Sequence, residues 1–445
     1  MIGNYYLLRF EVSGIKNIEK PIEVAFYKKT INNDFDPEQY KIKAVYGENG
    51  SGKTAVVTAV KIMQRFLMDK SYVTDNQKVL VDSVNKKTKS GHIECEFYSV
   101  MDGKSVISKY YFSFEVREDN RFYVTEESYE IKQGTYTKNN YELVFKTQNG
   151  VLVYYRDKKN MDLFKEKSFN LLTQRSFVSF VLEKEIYEMV LDNAGEKNIV
   201  ALLNLLFFAL EIEVSLDEAD NHMTYYWKET LQKMDEETFR SQGISMINKI
   251  EEDVLWFKTG EKLVPKTVFE VYKNQIAQIC SFVKIFKPEL IDIEIETRDY
   301  DLYYKCNLKM VYKDYTLDSE FESRGIKKIM NLYSHLDAAS NGKIVFIDEL
   351  DSNINDVYLD KIIEHFIYYG KGQLCFTAHN LSPMHLLKGR RGAITFISSI
   401  NTVHTWANNG NANPENAYKN GFIEDSPFNV DASSFLGIIG GNDEQ

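Results

Sequence analysis

The spacing of apolar positions changes period several times along the chain. Over about residues 4 to 30, "YYLLRFEV" and "PIEVAFY" alternate apolar and polar positions on either side of "SGIKNIEK", which predicts a pair of half-buried strands. "YKIKAVYG" has the composition of a buried strand. "TAVVTAVKIMQRFLM" then places Val56, Val57, Ala59, Val60, Met63 and Leu67 at helical spacing. Past a charged connector, "DSVNKKTKSG", alternation returns in "GHIECEFYSV", "KSVISKYYFSFEV" and "RFYVTEESYEI". The "MDGK" and "REDN" turns between them predict an antiparallel meander. From about Asn160 to Lys287 the pattern is helical, charged and poor in glycine. "LIDIEIETRD" and "YYKCNLKMVYKD" bring strands back. The last third alternates: helix "RGIKKIMNLYSHLDAA", strand "KIVFIDEL", helix "VYLDKIIEHFIYYG", strand "GQLCFTAHN" and strand "GAITFISSI".

Strands alternating with helices predict a mainly parallel sheet covered on both faces. If the early "YKIKAVYG" strand and this late block serve one site, they share one sheet and the middle is an insertion. The expected organisation is an N-terminal part with a β lobe (1–155), a helical insertion lobe (156–287) and a C-terminal part (288–445). No long heptad array supports a coiled-coil arm. The most apolar run, Ile199–Leu210, is too short to span a bilayer and reads as a core helix. The N-terminus lacks the charge-then-apolar pattern of a signal peptide.

Composition narrows the partners. Lys+Arg number 54 against 65 Asp+Glu, a net charge of −11. A protein gripping nucleic acid over its whole surface would lean basic, so any such contact would be a local patch. Four scattered cysteines without C-x-x-C spacing point to neither a zinc site nor a disulfide framework, and fit a reducing cytoplasm.

The candidate chemistry begins at "YGENGSGKT", Tyr46 to Thr54. Between a strand and a helix, Gly47, Gly50 and Gly52 permit a tight turn whose backbone N–H groups solvate phosphate. Lys53 would reach the outer phosphates of a nucleoside triphosphate, and the Thr54 hydroxyl would ligate Mg²⁺. "KIVFIDELD" ends a buried strand on two acids: Asp348 to hold the same Mg²⁺, and Glu349 to orient or deprotonate water. His379 follows the next strand in "FTAHN", where a neutral imidazole would reach the γ-phosphate. In "ESRGIKK", Ser323-x-Gly325 opens a helix whose free N–H groups face an anion, although an ordinary serine cap has the same appearance.

These four motifs, in this order, resemble an ABC-type ATPase head, and more narrowly its SMC/RecF-like branch. The resemblance covers both ends of the chain but not about Gly103 to Lys287. It implies an α/β P-loop head with a mainly parallel sheet, an antiparallel β lobe and an inserted helical lobe. It also implies ATP and Mg²⁺ as cofactors. By this resemblance "GENGSGKT", including Asn49, Gly50, Ser51, Gly52, Lys53 and Thr54, is the Walker A loop, and Ser323 and Gly325 belong to the signature motif. Asp348 and Glu349 are the Walker B pair, Asp351 marks the D-loop and His379 the switch histidine. Lys16, with its neighbour Asn17, matches a basic residue that approaches the nucleotide from the first hairpin. Neither Gln64 nor Gln77 suits a Q-loop.

The family pattern implies ATP held between two heads, hence a homodimer or higher homo-oligomer. "SRGIKK…IVFIDELDSNI…QLCFTAHN" with "SSFLGIIGG" further resembles stand-alone ATPases of bacterial abortive-infection (anti-phage defence) systems, relatives of the overcoming-lysogenization-defect proteins. Those act with a separate effector, a nuclease or toxin; no nuclease-like acidic cluster follows His379 here. The alternative is a DNA-repair or chromosome-associated ATPase that clamps DNA. DNA-stimulated hydrolysis would favour that alternative, and a neighbouring nuclease reading frame the first.

Overall fold

The computed structural model describes residues 2–27, 31, 35–101, 103–133, 140–181, 196–216, 259–407, 412–423 and 426. Among them the strands form three sheets in a mixed α/β arrangement.

The first sheet is antiparallel throughout. In spatial order it runs β2 (Ile22–Ala25), β1 (Ile2–Ser13), β4 (Ser90–Met101), β5 (Lys104–Val116), β6 (Phe122–Gln133), β7 (Glu142–Gln148) and β8 (Val151–Tyr155). The expected strand pair is present, in register from Arg9 opposite Ala25 to Val12 opposite Ile22, and the meander continues two strands further than "RFYVTEESYEI". Period-two alternation explains its packing: Ser108, Tyr110, Phe112 and Phe114 of β5 are buried on one face. The connector is shorter than expected. Its start ends the helix Gln77–Ser83, and Ser90 already begins β4.

The second sheet holds the late block. Its order is β17 (Val403–Thr405), β16 (Ile394–Ile397), β3 (Ile42–Tyr46), β15 (Gln373–Thr377), β14 (Ile344–Ile347) and β9 (Ile212–Ser215). All neighbours are parallel except the β16–β17 pair. Every residue of β3, β14, β15 and β16 is buried, as expected for parallel strands covered on both faces. One face packs against the helix Lys53–Met68, the helix Glu196–Leu210 and the antiparallel sheet. The other is covered by the helices Arg324–Ser340 and Asp356–Tyr369. Burial of each large core side chain such as Phe346 contributes about 2 kcal/mol. Gln373 ties the two sheets: its side-chain amide exchanges hydrogen bonds with the Leu7 N–H (2.6 Å) and carbonyl (2.9 Å).

The third sheet is smaller. β10 (Lys262–Pro265), β12 (Tyr303–Tyr312) and β11 (Leu290–Tyr300) lie in that order, with β13 (Thr316–Asp318) also on β12. The helix Phe269–Phe286 packs on it. The Arg324–Ser340 helix joins two units, since Ile326, Ile329 and Met330 pack with the third sheet while Leu332 and Ala339 pack with the parallel one.

Residues 156–287 read from sequence as a helical lobe. Positions 182–195 and 217–258 of that range lie outside the described residues, as does "SSFLGIIGG" near the C-terminus. The remainder does not stand apart. β9 is an edge strand of the parallel sheet, β10 belongs to the third sheet, and Leu202, Leu205 and Phe208 sit in the main core. Phe208 stacks on Phe97 of the antiparallel sheet at 3.8 Å. Gln64 donates to the carbonyls of Ala209, near the end of the Glu196–Leu210 helix, and of Ile212, at the start of β9, and Gln77 pairs with the Phe122 backbone, so both glutamines have structural partners.

One buried carboxyl in the antiparallel sheet makes stability depend on pH. Glu127 is fully buried and accepts from Tyr110 Oη (2.9 Å), Ser176 Oγ (2.6 Å) and the Phe177 N–H (2.8 Å). Burial raises its pKa from 4.5 to about 7, against the pull of those donors. The native state therefore binds this proton more tightly than the unfolded chain does. Its contribution to stability is complete below pH 4.5 and is lost as pH rises to about 7, a loss of about 3 kcal/mol. Glu127→Gln should flatten that slope in urea unfolding measured from pH 5 to 8. An unchanged slope would assign it to other groups.

Candidate functional site

The parallel sheet brings the distant motifs together. β15 lies between β3 and β14, paired in parallel with both. The segments leaving the C-terminal ends of these three strands therefore emerge side by side: Gly47–Gly52 after β3, Asp348–Asp351 after β14 and Ala378–Asn380 after β15. Ligands of open α/β sheets bind at such strand ends.

The glycine loop turns as its composition requires. Gly50 and Gly52 have φ of 82° and 107°, a region costly to other residues. At Gly47 a side chain would strike the Ile397 carbonyl at 2.3 Å and Ser51 Oγ at 2.4 Å. The helix Lys53–Met68 starts at Gly52 with no side-chain cap, so its N-cap residue has no side chain to satisfy its first N–H groups. That leaves them available to an anion. Ser51 is fully buried, and its Oγ has no hydrogen-bond partner among the described residues. Lys53 is folded back, donating to the Gly47 (2.7 Å) and Glu48 (3.1 Å) carbonyls. Burial holds its ammonium below its ordinary pKa, against the pull of Asp348, Glu349, Asp351 and Glu48. Thr54 is half-buried in the first helical turn, and Asn49 is exposed at the loop tip.

The first hairpin closes over this loop. Lys16 has φ 48° and is fixed by its N–H to the Ser83 carbonyl (2.7 Å) and by Asn85 Nδ2 to its own carbonyl (2.8 Å). Asn17 Nδ2 donates to the Gly50 carbonyl, and Ile18 packs where a side chain on Gly52 would point.

The acids leave β14 on a distorted backbone. Asp348 is 1% exposed. Its Oδ1 accepts from Thr377 Oγ1 at 2.5 Å, and its Oδ2 has no hydrogen-bond partner among the described residues. Glu349 has φ 46°, and its carboxylate Oε1 lies 3.9 Å from His379 Nε2. Asp351 Oδ2 accepts the backbone N–H groups of His379 (2.8 Å) and Asn380 (2.6 Å). The acidic segment after β14 and the segment bearing His379 are thus locked to each other.

Ser323 and Gly325 reach this region from outside the sheet. Ser323 is exposed and caps its helix through Ile326 N–H at 3.3 Å. Gly325 lies against the loop after Asp351: a side chain there would meet the Asn353 carbonyl at 2.8 Å. Glu322, buried just before, accepts from Lys287 Nζ (3.2 Å) and fixes the Ser323 N–H (2.9 Å). Neither the carbonyls that hold Lys53 nor the acids around it come from this helix.

Sequence reasoning did not single out Thr377, Glu322 or Asn353. Thr377 and Glu322 lie within the quoted "FTAHN" and "ESRGIKK", two residues before His379 and one before Ser323, and that nearness is the signal that could have found them. Among the described residues no cluster of three or more His, Cys, Asp or Glu could hold a metal ion. A divalent cation here would need Thr54, Asp348 and oxygens of a substrate, and the buried, unpartnered Asp348 Oδ2 fits that role. An open cavity of about 570 Å³, lined in part by Glu294, Lys309, Asp318 and Phe321, lies on the third sheet, away from these strand ends. Among the described residues no helix is long and apolar enough to cross a membrane. Comparison with known proteins finds no family model that matches the chain and no matching curated protein.

Proposed function

We propose that this chain is an ATP-binding and hydrolysing switch built as an ABC-type head, closing head-to-tail with a second copy around the nucleotide. One observation carries the proposal. Three adjacent parallel strands, β3, β15 and β14, bring an uncapped glycine-loop helix start, a buried lysine, two acids and a histidine to one end of a sheet.

The chemistry follows from those groups. The triphosphate takes the helix-start N–H groups, and Lys53 exchanges its loop carbonyls for phosphate oxygens, a stronger charge-assisted contact. Mg²⁺ bound with the nucleotide would be held by Thr54 and Asp348 and would neutralise phosphate charge. Glu349 accepts a proton from the attacking water or orients it. His379, near Glu349, donates or accepts beside the γ-phosphate. The exposed Ser323 helix start supplies a second set of N–H groups to the γ-phosphate of a facing copy. ATP then favours the closed pair, and loss of the γ-phosphate releases it. The narrower role, the ATPase and sensor subunit of an anti-phage system acting on a separate effector, is supported by the motif resemblance alone.

Lys53→Ala tests the site. Removing a charged donor to phosphate should weaken ATP binding roughly 10- to 100-fold and abolish measurable hydrolysis at cellular ATP concentrations. Equal binding by wild type and variant in calorimetry would remove the glycine loop from the phosphate role.

A further inference from the structure

We infer that Thr377 is a positioning residue for both acids at the end of β14, which deepens and rests on the nucleotide reading above. Thr377 is the last residue of β15, 1% exposed, on the strand between β3 and β14. Its hydroxyl makes two bonds of opposite sense. It donates to Asp348 Oδ1 at 2.5 Å and accepts the Glu349 N–H at 2.8 Å. An ionised carboxylate cannot donate and an amide N–H cannot accept, so the single hydroxyl hydrogen has only one arrangement that serves both. The Thr377 carbonyl also accepts the Leu350 N–H at 3.1 Å, so three consecutive residues after β14 are held by one.

The consequences differ for the two acids. At Asp348 the bond occupies Oδ1 and sets the carboxylate rotation, leaving the buried Oδ2 without a hydrogen-bond partner among the described residues. That free oxygen is the one available to a cation. At Glu349 the bond holds a backbone with φ 46°, uncommon for a residue with a side chain. This conformation sets the direction in which the carboxylate leaves the strand. Thr377 acts through Asp348 and Glu349.

A threonine that merely satisfied a backbone N–H would affect stability without affecting the cation. The test therefore compares Thr377→Val, which keeps the shape and removes the hydroxyl, with Thr377→Ser, which keeps the hydroxyl. In the full chain, ATP binding is measured by calorimetry with excess Mg²⁺ and with EDTA, alongside kcat. For Thr377→Val, ATP affinity in EDTA should stay within about twofold of wild type. The Mg²⁺-dependent gain in affinity and kcat should each fall about 10- to 100-fold, the usual scale for residues that orient metal ligands. Thr377→Ser should restore both.

Wild-type Mg²⁺ dependence and kcat in Thr377→Val would overturn the inference, as would a Thr377→Ser variant as defective as the valine. If the valine variant does not fold, the serine variant decides alone: it must keep both quantities at wild-type level. A wild-type chain that binds no ATP overturns the nucleotide reading and this inference together. A wild type that turns over ATP no faster than Thr377→Val removes the inference alone.

Discussion

Glu349→Gln is expected to bind ATP as tightly as wild type and to hydrolyse it about a thousandfold more slowly, within the 10²–10⁴ range that a positioned general base supplies. The expectation comes from how Glu349 is held. Its backbone is pinned by the Thr377 hydroxyl and by its carbonyl to the Ser352 N–H (3.1 Å), and its carboxylate lies 3.9 Å from His379. Glutamine has the same shape and hydrogen-bonding length, so the loop and the phosphate-binding groups are undisturbed, while the capacity to take a proton is gone. Lys53 loses one of the four carboxylates that raise its pKa, yet Asp348, Asp351 and Glu48 remain. Single-turnover hydrolysis with bound ATP reads the chemical step apart from binding. A rate near wild type would take Glu349 out of the base role and leave His379 as the nearest alternative.

Ser323→Arg is expected to leave ATP binding by one copy intact and to abolish ATP-dependent pairing. The serine is exposed and its one described side-chain bond is a 3.3 Å helix cap, so arginine has room to fold without entering the core. A cap substitution costs only about 1 kcal/mol of stability. What changes is the surface offered to a second copy: a long cation now blocks the helix start. Mixing separates this from misfolding. Ser323→Arg supplies an intact Lys53 loop and Lys53→Ala an intact helix start, so the mixture should recover hydrolysis in the one composite site that has both. Two inactive proteins that stay inactive together, although each remains folded, would argue that both elements serve one chain.

Much of the parallel sheet was legible in the sequence, and for a physical reason. β14 is a continuous apolar run and β3 and β15 are largely apolar, because both faces are buried, and the glycine loop, the acids and the histidine follow these strands directly in the chain. Strand order was not legible. Nothing in "KIVFI" or "QLCFT" says that β15 separates β3 from β14, because pairing is decided by tertiary packing.

The hardest element to foresee was β9. Four residues, "IEVS", are too few to show a period, and they follow an apolar helix that reads as part of a separate lobe. Only its parallel pairing with β14 and the Gln64 bond to Ile212 place it in the main sheet. Thr377 was hidden for a related reason. A threonine at a strand end is ordinary by propensity, and its role appears only when Asp348 and Glu349, 28 or more positions away, arrive on the neighbouring strand. The positive φ at Glu349 was equally hidden, since that region is anticipated for glycine and asparagine rather than glutamate.

The central claim is that a triphosphate closes two copies of this chain. Sedimentation velocity of Glu349→Gln, run with ATP and Mg²⁺ and again with ADP and Mg²⁺, tests it most directly, because that variant retains the γ-phosphate. A species of twice the 51.8 kDa chain mass with ATP, and a smaller one with ADP, is the predicted result. The same sedimentation coefficient with either nucleotide, at concentrations where both are bound, would contradict it.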